Sequence, residues 1–184
     1  MITVKGLMII NNKVEDGEAL FTKALLKRAG YIVDSATLEN TTNIVTAYDQ
    51  RISVDYLIKD INASDYDFLI IPGGGHVFNW QDNLAELLPI INAFNNQNKL
   101  IAAICAGPLF LKDTKILDNK KFTIFPGLEE NIKNGIYQKM AKVVTDENII
   151  TARSAGVIYD FVFAIINYYN DKEKIEKLKK SIVY

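Results

Sequence analysis

The chain has 184 residues, a length suited to one domain (1–184), with 49% hydrophobic and 23% charged residues, one cysteine and one histidine. One thiol excludes an internal disulfide, a structural zinc cluster and a Cys-x-x-Cys redox pair, and one imidazole argues against a histidine-based metal site. A balance of 21 Lys+Arg against 22 Asp+Glu, with basic residues scattered until the final turn, removes the electrostatic footprint of a nucleic-acid binder.

Residues 1–10 lack the basic region, long apolar stretch and small-residue cleavage site of a signal peptide. No apolar run approaches the roughly 20 residues of a membrane span, so a soluble cytoplasmic protein is expected. Residues 7–10 predict a buried strand, and a helix runs from Glu18 to Ala29 with Gly30 as its C-cap. A second strand is expected at 31–33 and a small hairpin over 44–54. Residues 68–71 form a continuous apolar run that enters Pro72-Gly73-Gly74-Gly75, the pattern of a central parallel strand meeting a tight loop. A helix is predicted over 84–94, a buried strand over 99–104, a short helix after it and a weaker strand at 123–125. A hairpin-like pair at 142–145 and 148–151 precedes a long apolar helix at 157–168, and the charged tail 171–180 carries Ile175 and Leu178 on one side.

This alternation predicts a flavodoxin-like, doubly wound α/β fold: a mainly parallel sheet with helices on both faces. Such sheets work outside the carboxyl ends of their strands, which singles out the loops 11–17, 72–76 and 105–108. Cys105 lies between the apolar strand and the small-residue turn Ala106-Gly107-Pro108, the pattern of a nucleophile elbow. An elbow requires a sparsely populated backbone conformation there, a strain of roughly 1–3 kcal/mol. A helix N-terminus behind the turn favours thiolate over thiol. The competing reading is a buried structural cysteine. Glu18, on its residue type alone, is an ordinary first-turn acid, as are Glu15 and Asp16. The glycine loop lacks a dinucleotide fingerprint and a phosphate loop, but it allows backbone N–H groups to approach an oxyanion.

Three segments carry a family resemblance: Ala102-Ala103-Ile104-Cys105-Ala106-Gly107-Pro108, Val14-Glu15-Asp16-Gly17-Glu18 and Ile71-Pro72-Gly73-Gly74. With Thr151-Ala152-Arg153-Ser154, the chain resembles the ThiJ/PfpI superfamily, and within it the parkinsonism-associated deglycase branch, over nearly its whole length. The resemblance implies that the Glu18 carboxyl faces the Cys105 sulfur with a raised pKa, and that Gly74 and Ala106, beside Gly73, offer N–H groups to an oxyanion. Protease-like members place a histidine directly after the cysteine, where this chain has Ala106. The deglycase branch often has one before a proline, where this chain has Phe125 before Pro126. Peptidase activity is therefore disfavoured. His76 is within reach of the pocket but is expected to be an exposed loop residue, and Arg153 a possible anion ligand that reads more simply as a surface or dimer contact.

The implied function is cofactor-free addition of Cys105 to small reactive carbonyls, of glyoxalase or deglycase type, with Glu18 moving the proton. The alternative is a non-enzymatic sensor whose Cys105 is oxidised by peroxide. Hydrolase chemistry ranks third. A small aldehyde or peroxide is the expected partner, together with a second copy in a homodimer, and no metal, nucleic acid or membrane.

Overall fold

A computed structural model describes residues 4–184, so the first three residues of the amino-terminal run lie outside it. Its centre is a seven-stranded sheet built from β1 (Lys5–Ile9), β2 (Ile32–Thr37), β5 (Tyr56–Leu57), β6 (Phe68–Ile71), β7 (Leu100–Ile104), β10 (Val143–Asp146) and β11 (Ile149–Ala152). The spatial order is β10-β11-β7-β6-β1-β2-β5, and every pairing is parallel except β10 with β11. Two small ribbons lie outside it: β3 (Asn43–Val45) with β4 (Arg51–Ser53), and β8 (Lys121–Phe122) with β9 (Ile136–Tyr137).

The buried strands supply both layers of core because successive side chains point to opposite faces. Leu7, Ile9, Leu69, Ile71, Ile101 and Ala103 pack on one face with Ile91 and Phe94 of α3 (Leu88–Asn96). Met8, Ile10, Phe68, Ile70, Ala102 and Ile104 pack on the other. There they meet Leu25 and Leu26 of α1 (Thr22–Arg28) and Phe161, Val162, Ile165 and Ile166 of α4 (Ile158–Tyr168). The tail forms α5 (Lys172–Ile182), capped by the Asp171 carboxylate accepting from Lys174 N–H and seated by buried Leu178. Among the described residues no helix is long and apolar enough to cross a membrane.

Four expectations change. The segment ahead of α1 is a wide π turn, Gly17–Phe21, rather than the first turns of one α-helix. The glycine loop is shorter than expected because α2 (Gly75–Trp80) begins inside it. The helix expected at 84–94 starts at Leu88, where Pro89 occupies a first-turn position that needs no N–H donor. The strand expected at 123–125 lies at Lys121–Phe122 instead; Thr123 donates its N–H to the Thr151 hydroxyl and so leaves the strand ladder.

Chain order places the site. From β1 the chain builds outward through β2 and β5, then returns to lay β6 on the other side of β1 and β7 beyond it. The carboxyl ends of β1, β6 and β7 therefore meet at the point where the winding reverses, the place where open α/β sheets form crevices.

Candidate active site

Cys105 follows β7 and has φ of 62°, a left-handed conformation uncommon for a non-glycine residue. The elbow is held from both sides: Cys105 N–H donates to Ala152 O at 2.9 Å, and Phe125 N–H donates to Cys105 O at 3.0 Å. Behind it lies a short 3-10 segment, Gly107–Leu111, packed into the core by Leu109, Phe110 and Leu111.

The π turn brings Glu18 to the cysteine. Its carboxyl is only 1% exposed, accepts Gly73 N–H at 2.8 Å and hydrogen-bonds the Cys105 thiol. Burial raises its pKa to about 7, helped by the neighbouring charge of Glu15 and opposed by the bonds from Cys105, Gly73 N–H and Ala155 N–H. Glu15 in turn accepts Glu18 N–H at 2.6 Å.

The expectation of a thiolate stabilised by a helix end is corrected. Burial, followed by the charge and hydrogen bond of Glu18, pushes the Cys105 thiol well above its ordinary value, and only Ala106 N–H opposes them. A five-residue 3-10 segment is too short a dipole to outweigh those effects. Near neutrality the thiol therefore keeps its own proton, while the carboxyl hydrogen-bonded to it is part protonated and part ionised.

Gly73 has no side chain because there is no room for one. An added Cβ would sit 2.7 Å from Cys105 Cβ, 2.7 Å from Glu18 Oε2 and 2.8 Å from Ala106 N. Gly73→Ala is therefore expected to cost roughly 1–3 kcal/mol and to part Glu18 from Cys105. Urea melts of the two proteins test this, and an unchanged midpoint would contradict it. Gly74, at φ of 101°, bridges Val14, and its N–H has no protein acceptor among the described residues. The Ala106 N–H faces the sulfur.

His76 is not an exposed loop residue. It lies on α2, fully buried, its ring edge-on to Phe110 at 5.6 Å between centroids. Its ring nitrogens bond Asn11 Nδ2 and Pro72 O, so it does not form a dyad with Cys105. Burial lowers its pKa to about 4, against the bonds to the Pro72 and Gly73 backbone. Arg153 is half-buried and adjoins the elbow only through the backbone, following Ala152 and donating its N–H to Lys142 O. Phe125 is 46% exposed beside the elbow. Asn11 and Ala155 are contributors that the residue pattern did not single out. Asn11 sat in a polar run read as loop, and Ala155 acts through its backbone alone.

Fold and site together define a flavodoxin-like α/β protein with a cysteine elbow facing a buried acid. The chain belongs to the DJ-1/PfpI family, whose profile matches residues 4–168. Protein dj-1beta of Drosophila melanogaster is 27% identical over 179 residues, covering 97% of this chain and 96% of that one. Its crystal structure aligns with a TM-score of 0.92 at 28% identity, covering 99% and 98% of the two chains. The protein named deglycase PH1704 of Pyrococcus horikoshii is 29% identical over 157 residues, 85% of this chain and 93% of that one. The structure described as oxidized Toxoplasma gondii DJ-1 aligns with a TM-score of 0.91 at 27% identity, covering 99% of each chain.

Proposed function

We propose that the protein converts small reactive dicarbonyls such as methylglyoxal to hydroxyacids through Cys105 and Glu18. The observation that carries this reading is the hydrogen-bonded Cys105–Glu18 pair, with the acid held near neutrality by burial. As the sulfur adds to the aldehyde carbon, the thiol proton passes to Glu18 and the oxygen becomes a hemithioacetal oxyanion facing the N–H groups of Gly74 and Ala106. Once that oxygen is protonated, Glu18 moves the hydrogen of the former aldehyde carbon, as a proton, to the ketone carbon by way of an enediol, leaving a thioester. Water cleaves the thioester, releasing lactate and restoring the thiol. The sum is methylglyoxal plus water giving lactic acid, which is redox-neutral. Deglycase chemistry, the activity in the name of the Pyrococcus relative, would begin with the same adduct.

Fresh, reduced protein is expected to form lactate from methylglyoxal without glutathione, on an ascending pH limb centred near 7 where Glu18 ionises. Undetectable lactate, with Cys105→Ser as the blank, would overturn the reading. A second reading is favoured by the same contacts: Glu18 and Ala106 N–H both bond the sulfur and would also stabilise a sulfinate. The Toxoplasma relative's structure is described as oxidized. Intact mass under graded peroxide tests it. Cys105 is expected to gain two oxygens before any of the three methionines gains one, and the reverse order would discard the sensor role.

A further inference from the structure

The sole imidazole is buried, neutral at physiological pH and absent from the chemistry above, yet it is bonded at both nitrogens. Obligate donors and acceptors fix its tautomer. Leu38 N–H can only donate, and it reaches Asn11 Oδ1 at 2.7 Å, an oxygen that also accepts the Thr37 hydroxyl at 3.0 Å. The other end of the Asn11 amide is therefore its NH2, which donates to His76 Nδ1 at 3.1 Å. His76 Nε2 consequently carries the ring hydrogen, and it donates to Pro72 O at 2.9 Å, an atom that can only accept. The same peptide unit that offers this carbonyl ends in Gly73 N–H, which donates to Glu18 Oε2 at 2.8 Å.

One peptide group is thus hydrogen-bonded on both sides, by imidazole at its oxygen and by carboxylate at its hydrogen. Donation to a carbonyl polarises the amide and strengthens its N–H as a donor. We infer that His76 is a positioning residue for Glu18, acting through the Pro72–Gly73 peptide by holding and polarising the group whose N–H bonds the carboxylate. The groups that face Glu18 are Glu15 on its own segment, Cys105 on the elbow, Gly73 N–H from the glycine loop and Ala155 N–H from the segment before α4. Of these, His76 acts only on Gly73. The effect favours the ionised carboxylate, so losing the imidazole raises the pH at which Glu18 gives up its proton.

As a statement about catalysis the inference rests on the carbonyl reading, so its test reads the carboxyl itself. The protein is labelled with ¹³C at glutamate carboxyls, the Glu18 resonance is assigned by its loss in Glu18→Gln, and pH is varied. His76→Phe keeps the ring's bulk but removes the donor, and the Glu18 midpoint is expected to rise by roughly half a pH unit or more. His76→Gln, which retains an N–H able to meet Pro72 O, is expected to shift it less. No shift in His76→Phe, or a shift in His76→Gln at least as large, overturns the proposal whether or not the protein turns over dicarbonyls. Wild-type protein offers a check that survives any folding defect in the variants. Its ¹⁵N imidazole signals should report a neutral Nε2–H tautomer from pH 5 to 9, and the Nδ1–H tautomer or a charged ring in that range would equally overturn it.

Discussion

Cys105→Ser is expected to lower lactate formation from methylglyoxal by at least about a thousandfold, some 4 kcal/mol of barrier, while leaving stability within about 1 kcal/mol of wild type. The chemical loss follows from the base available. Glu18, near 7, can take a proton from a thiol as the sulfur bonds to carbon, but it is far too weak to relieve a serine hydroxyl of its proton. The stability is retained because the elbow does not depend on sulfur. Cys105 N–H to Ala152 O and Phe125 N–H to Cys105 O are backbone bonds, and serine must adopt the same φ of 62° as cysteine. Paired rate and melting measurements separate the two halves of this expectation. A serine variant with a tenth of wild-type activity would remove the sulfur from the mechanism, and one that melts far lower would show that the thiol is structural.

Glu18→Gln is expected to reduce turnover roughly a hundredfold to ten-thousandfold and, at alkaline pH, to make the protein more stable. The sign follows from linkage. The folded-state pKa of Glu18, about 7, lies above its ordinary 4.5, so its contribution to stability is complete below pH 4.5 and is lost as pH rises through 7. Across that window the wild type forfeits up to roughly 3 kcal/mol that a neutral amide at the same place does not forfeit. Glutamine can still accept from Gly73 N–H, so the packing contact survives. Urea melts of both proteins at pH 4.5 and pH 8.5 provide the check. The difference between variant and wild type should grow with pH, and parallel curves would mean that Glu18 titrates in the folded chain as it does in water.

The strands that carry the site are legible because they are buried on both faces and so read as uninterrupted apolar runs: 7–10, 68–71 and 100–104. The elbow was legible because it juxtaposes such a run with three small residues. His76 departs from its expected exposed place for an equally physical reason. Three glycines ahead of it signal a loop, whereas Gly74 at positive φ turns the chain straight into α2, and the imidazole enters the core with a partner at each nitrogen. Those partners, Asn11 and Pro72 O, lie 65 and 4 residues away, and one of them is a backbone atom that residue type cannot reveal. The protonation of Cys105 is not legible in the sequence, because a dipole can be inferred from local pattern whereas burial beside a carboxyl depends on three strand ends converging.

The π turn at Gly17–Phe21 settles where that carboxyl points. In an unbroken α-helix Glu18 would share one stripe with Thr22, Leu25 and Leu26, positions four, seven and eight residues on, all of which are buried against the sheet. A wide turn advances less per residue and slips the helical phase by on the order of a quarter turn. The apolar stripe stays in register with the sheet, and the acid is dialled out of it toward Gly73 and Cys105. Core and buried acid are thereby set on separate azimuths of one continuous segment, so each can be altered by substitution without rotating the other.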